Sequence, residues 1–187
     1  MKKFELTNEF ITNMFGTKLF RIRALVEFGD VEAGELGGYV EKESNLGHDD
    51  NAWVYDNAWV YGNARVYGDA QVSGDALVYG NARVYGNALV YDNAWVYGNA
   101  RVCGDARVCG DARVCGNGDY AYAHGFGSVN RTTTFFRLKD GGVGVRCGCF
   151  YGTLAQFRDK IRETHGETKK AQEYLMLADL MKLRFEK

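Results

Sequence analysis

Between residues 51 and 116, apolar and polar positions alternate on a six-residue beat. Ala, a variable residue, Val, then Tyr, Ser or Cys, then Gly or Asp, then Asn or Asp follow one another through eleven hexapeptides without an insertion. The valines run from Val54 to Val114, and an alanine precedes each by two residues, from Ala52 to Ala112. In an extended chain, side chains two apart share a face. Val and Ala therefore point to one side, and the residue between them and the residue after Val point to the other. The pair that follows is a corner, because Gly takes a positive φ freely and Asn and Asp tolerate one. Each hexapeptide reads as one short strand and one turn. None can bury its apolar side alone, so the pattern predicts stacked coils around a shared core.

Read from Val, V-Y-G-N-A-R resembles the hexapeptide repeat of left-handed parallel β-helices, in which three hexapeptides complete one triangular coil. Tyr or Cys directly after Val departs from that family, which usually has a small residue there. The resemblance implies stacking at a spacing of eighteen residues, which sorts the variable positions into three faces. The first carries Trp53, Gln71, Leu89 and Arg107, the second Trp59, Leu77, Trp95 and Arg113, and the third Arg65, Arg83 and Arg101. With coils ~4.8 Å apart, the third face would hold three guanidinium groups in a ladder flanked by Tyr67 and Tyr85. Such a ladder is either a solvated face with its aliphatic stems laid over neighbours or a site for an anion or an acidic partner. Trp53, Trp59, Trp95, Leu77 and Leu89, backed by the column Tyr61, Tyr79 and Tyr97, make apolar faces too large to leave in water. They are expected to be covered in a homo-oligomer or by the chain's own flanks.

Outside the repeat the periodicity changes. FELT and KLFRIRALVEF around a turn near Gly16 read as a β-hairpin. Val40 and Leu46 are already six apart, which predicts a first irregular coil capping an end that would otherwise invite association. After Gly116 the repeat dissolves through NGDYAYAHGFGS; Thr132 to Leu138, the turn KDGG, and Val143 to Phe150 read as a second hairpin. Thr153 and Gln156 have the spacing of a capping box, opening a helix that runs to about His165 and stops at Gly166. A last helix begins near Thr168, its apolar stripe formed by Ala171, Tyr174, Leu175, Ala178, Met181 and Leu183. The expected fold is mainly β. It comprises an N-terminal hairpin and capping coil (1–50), a left-handed parallel β-helix (51–128) and a C-terminal ββαα cap (129–187).

The flanks LFRIRALVEFGDVEAGELGGYVEKESNL and TTFFRLKDGGVGVRCGCFYGTLAQFRDKIRETHG resemble the ends of hexapeptide-repeat proteins encoded by bacteriophages and prophages, most of them without an assigned function. That resemblance implies an accessory protein acting inside a bacterium, with antagonism of host defence as one role. It carries over no catalytic residues.

The 187 residues, 46% hydrophobic and without proline, suit one soluble unit. A net charge of -1 argues against a strongly basic nucleic-acid binder while leaving room for a local patch. The opening MKKFELTNEF does not read as a signal peptide, and no apolar run approaches the ~18 residues of a membrane span. The expected location is therefore the cytoplasm of the bacterial host. Five cysteines, an odd set, are expected as reduced thiols. Cys103, Cys109 and Cys115 have an apparent metal-site spacing, but successive hexapeptides occupy successive faces and would point them apart. Cys147 and Cys149, two apart on an expected strand, read as buried thiols on one side of it.

Three function classes follow. The first is a non-catalytic binding protein, a rigid oligomeric solenoid whose Arg65, Arg83 and Arg101 ladder, or a pocket between subunits, captures an anionic small molecule such as a signalling nucleotide, or a host bacterial protein. The second is a structural, self-assembling scaffold. The third is a CoA-dependent acyltransferase using His124 or His48, since resemblance to β-helix acyltransferases implies a histidine base. The extended loop that interrupts the repeats of those enzymes is missing here. The first reading is preferred. It assigns no catalytic residue, metal or cofactor and expects neither a membrane nor a general nucleic-acid partner.

Overall fold

A computed structural model describes residues 2–127 and 129–186. The boundary expected at residue 128 falls outside the described residues.

Strands β1 (Phe4–Thr12) and β2 (Lys18–Ala24) pair antiparallel around a turn in which Gly16 has φ 81°. β2 then pairs with β3 (Leu36–Val40), which lies parallel to the solenoid strand at Trp59–Val60. The hairpin thereby extends one solenoid face into a seven-stranded sheet. Val40 pairs with Val60 and Leu46 with Val66, a step of twenty residues. This coil forms where the sequence places it, two residues longer than those above. Asn45 pins it from within, its Nδ2 donating to the carbonyls of Gly62 and Ala64 at 3.2 and 2.8 Å.

Eleven two-residue strands follow at six-residue intervals: β4 (Trp53–Val54), β5 (Trp59–Val60), β6 (Arg65–Val66), β7 (Gln71–Val72), β8 (Leu77–Val78), β9 (Arg83–Val84), β10 (Leu89–Val90), β11 (Trp95–Val96), β12 (Arg101–Val102), β13 (Arg107–Val108) and β14 (Arg113–Val114). Every third strand stacks in parallel, giving the columns β4-β7-β10-β13, β5-β8-β11-β14 and β6-β9-β12. The eighteen-residue register is thus observed on all three faces. Each Val lies over the next Val of its column, and these valines and alanines are buried at 0 or 1% exposure. The corners add ladders of their own. Asn63, Asn81 and Asn99 link through side-chain amides at 3.3 Å, and Tyr61, Tyr79 and Tyr97 stack with ring centroids 5.1 and 5.2 Å apart.

The C-terminal cap is a four-stranded antiparallel meander, β15 (Tyr120–Phe126), β16 (Arg131–Arg137), β17 (Val143–Cys147) and β18 (Phe150–Thr153), followed by α1 (Leu154–His165) and α2 (Lys169–Phe185). The expected hairpin is there, extended by a strand on either side. YAYAHGF, read as the dissolving end of the repeat, is β15, and the strand expected to reach Phe150 turns at Gly148, whose φ is 58°.

β16 seals the solenoid because adjacent residues of a strand face opposite ways. Phe136 joins the valine core, while Phe135 enters a second core beneath the helices with Phe157, Ile161, Tyr174 and Met181. Thr153 and Gln156 form the capping box of α1, Gly166 follows its last turn, and Thr168 caps α2. Ala171, Tyr174, Ala178 and Met181 are buried as expected, but Leu183 is exposed and Phe185 takes the inward place. Phe185 continues the three- and four-residue steps of the buried stripe, which Leu183 interrupts.

Candidate ligand-binding face

The third face positions its arginines through the core behind them. Val66, Val84 and Val102 are held in register, so Arg65, Arg83 and Arg101 stand directly over one another, all three exposed. Beside them Tyr67 and Tyr85 stack with centroids 5.0 Å apart and planes 2° from parallel, and the Arg65 guanidinium lies 5.7 Å from the Tyr67 ring. Other arginines find carboxylates: Arg21 with Glu9 at 3.5 Å, Arg158 with Asp179 at 2.5 Å and Arg162 with Asp159 at 3.2 Å. Among the described residues, no ion pair includes any of the three ladder arginines.

The ladder ends in a hollow of about 530 Å³ where it meets the cap, lined by Tyr85, Arg101 and Cys103 from the solenoid and by Asn117, Tyr120, Tyr122 and Arg184 from beyond it. Asn117 Oδ1 accepts the backbone N–H of Arg101 at 2.9 Å, and Arg184 donates to the Asn117 carbonyl at 3.2 Å. Hydrogen bonding with Cys103 raises the Tyr85 phenol above its ordinary range, and burial raises that of Tyr120. Both stay neutral hydrogen-bonding groups at physiological pH. The residues from the cap, Arg184 above all, were missed by the sequence reading, because nothing in local spacing ties residue 184 to residue 101.

The apolar faces are less bare than their sequence suggests. Of the two covers expected for Trp53, another subunit or the chain's own flanks, the flank supplies it: Trp53 is fully buried, edge-on to Phe4 and Phe28 at 6.2 and 5.3 Å. Trp59, Leu77 and Leu89 are half-buried. Trp95, 36% exposed, has the Arg113 guanidinium 4.2 Å above its ring and Tyr79 against its edge.

The histidines lie away from the ladder. His48 stacks on Phe4 at 4.4 Å, accepts the Lys3 backbone N–H at Nδ1 and places Nε2 2.9 Å from Glu43, which makes it a pin for the N-terminal cap. His124 is exposed, with Nδ1 2.9 Å from the Thr132 hydroxyl. Cys103, Cys109 and Cys115 sit at three different corners: beside Tyr120, buried, and against Asp119 respectively. Cys147 and Cys149 do not share one side of a strand. Cys147 accepts from Thr133 at 3.2 Å, whereas Cys149 is exposed, because the chain turns at the intervening Gly148. No three potential metal ligands converge among the described residues.

A family model described as the YdcK beta solenoid repeat matches residues 58–74, 70–84, 82–98 and 94–110. With the stacked parallel coils, the match supports a β-solenoid repeat family for this part of the chain. It names no catalytic activity. The chain matches no curated protein. No helix among the described residues is long and apolar enough to cross a membrane.

Proposed function

We propose that this chain is a non-catalytic binding protein, a rigid β-solenoid whose third face captures an anionic ligand. One observation carries the reading: Arg65, Arg83 and Arg101 stand in register on neighbouring rungs with no carboxylate partner among the described residues. Like charges at a spacing of about 5 Å repel, and an anion that bridges them relieves the repulsion while engaging guanidinium forks suited to phosphate and carboxylate. The hollow at the end of the ladder favours a small molecule of nucleotide type. Arg101 and Arg184 would meet its phosphate, and Tyr85 and Tyr122 its ring. An acidic segment of a host protein would lie along the ladder instead. Given the resemblance of the flanks to phage-encoded proteins, removing a signalling nucleotide from the host is a role that fits such a site.

The test is equilibrium dialysis of the whole chain against a panel of mono-, di- and cyclic nucleotides and an acidic peptide, with Arg65→Ala/Arg83→Ala/Arg101→Ala alongside. Each charged hydrogen bond contributes about 1.5–3 kcal/mol, so the triple variant should bind at least ~10-fold more weakly with unchanged circular dichroism. Equal binding by the variant removes the ladder as the site. A wild-type chain that retains none of these ligands leaves only a scaffold.

A further inference from the structure

A second basic concavity lies on the first face. Two hollows, of about 400 and 270 Å³, lie where that face meets the C-terminal sheet, and Leu89 and Arg107 line both. The larger adds Asp105 from the solenoid and His124 and Arg131 from the cap, and the smaller adds Tyr91 from the solenoid and Arg146 from the cap. The three arginines come from three places in the chain. β13 supplies Arg107, the start of β16 supplies Arg131, and β17 supplies Arg146.

These arginines are under-satisfied. Among the described residues none of the three has a carboxylate partner or a side-chain hydrogen bond. Arg146 Nε is buried with no acceptor, a state that costs free energy unless something fills it. Its guanidinium lies 5.9 Å from the Tyr91 ring. The larger hollow holds a carboxylate of its own, Asp105, which accepts from Asn87 Nδ2 at 3.0 Å, whereas among the described residues no carboxylate lines the smaller one, and nearby Asp92 accepts the Gly110 N–H at 3.2 Å. In the smaller hollow two guanidinium groups, Arg107 and Arg146 with its unpaired Nε, stand with Leu89 and Tyr91 in a concave site that has donors and an apolar base. The ladder, by contrast, is open along its length.

We infer that the smaller hollow binds a phosphorylated small molecule, with its phosphate between Arg107 and Arg146 and its apolar portion on Leu89 and Tyr91. The site exists only while the cap is docked on the solenoid, since each wall belongs to a different part of the chain. Ligand would therefore hold cap and solenoid together and raise the melting temperature, by mass action on the docked state. This site is independent of the ladder on the third face.

The experiment is thermal unfolding and isothermal titration calorimetry of the full chain with inorganic pyrophosphate and with AMP, using sodium sulfate at matched ionic strength as control. Wild type should show saturable heat and a rising melting temperature with pyrophosphate or AMP but not with sulfate. The ladder triple variant should keep one saturable set of sites, and Arg107→Ala/Arg146→Ala made in that background should weaken it at least tenfold. Should that variant fail to fold, Arg107→Gln alone, a change at an exposed position, should weaken binding in the same direction. An equal shift with sulfate, no saturable heat with either phosphate compound, or binding retained by the face-one variants would overturn the inference. Binding already lost in the ladder variant would overturn it too, while leaving the proposed function standing.

Discussion

At the scale of the residue, the coil is made or broken at its corners. Gly80 has φ 72°, and a Cβ there would approach the backbone nitrogen of Gly98, one coil on, to 3.1 Å. Gly80→Ala should therefore destabilise the fold by about 1–3 kcal/mol, from left-handed strain and crowding together, as read by urea denaturation. Asp56 and Asp92 hold the equivalent corner at φ 52 and 59° without being glycine. Each offsets that strain by accepting the N–H of the glycine one coil on, Gly74 at 3.0 Å and Gly110 at 3.2 Å. The alternation of Gly with Asp at this position is legible in the sequence, because both residue types answer to the same local backbone demand.

At the scale of the element, the solenoid needs an end. Strand β16 closes it by sending Phe136 into the valine core, where the ring is fully buried. Phe136→Ala should cost about 3–5 kcal/mol in thermal or chemical denaturation, with the loss falling first on cap docking. The helices and the Phe135–Phe136 strand were readable because capping boxes and alternation are short-range signals. β15 was not. Its Gly- and Ala-containing sequence follows a turn-rich stretch, and only pairing with β16 makes it a strand. Cys149 was misplaced for the same reason, since the turn at Gly148 is set by the pairing of β17 with β18.

At the scale of the whole molecule, the N-terminal hairpin is tied to the solenoid by a buried amine. Lys3 Nζ donates to the carbonyls of Asp50 and Ala52 at 2.5 and 2.8 Å and lies 4.5 Å from the Phe28 ring. Burial lowers its pKa from 10.5 to about 8, with Asp50 and Asp49 opposing the shift. Between those two values the unfolded chain binds the proton that the folded chain has released, so this group makes stability rise with pH across the window. Burial also raises Cys109, which pulls the other way from about pH 9 upward, so the comparison must be differential. Between pH 7.5 and 9, the urea midpoint of wild type should gain relative to that of Lys3→Met. An identical pH dependence in both proteins would mean that Lys3 titrates normally.

By itself the sequence determined a strand and a corner every six residues, because those follow from local φ preference and two-residue alternation repeated without error, while the eighteen-residue register and the three columns came through the resemblance to left-handed β-helices. Given that register, the arginine ladder follows without further information. Only the tertiary structure decided what covers each column. Trp53 disappears beneath the hairpin, Arg184 arrives at the end of the ladder, and Arg131 and Arg146 each meet Leu89 and Arg107 in a separate hollow. Those contacts join residues tens of positions apart through packing of the caps, and no periodicity records where one non-repeating surface docks on another.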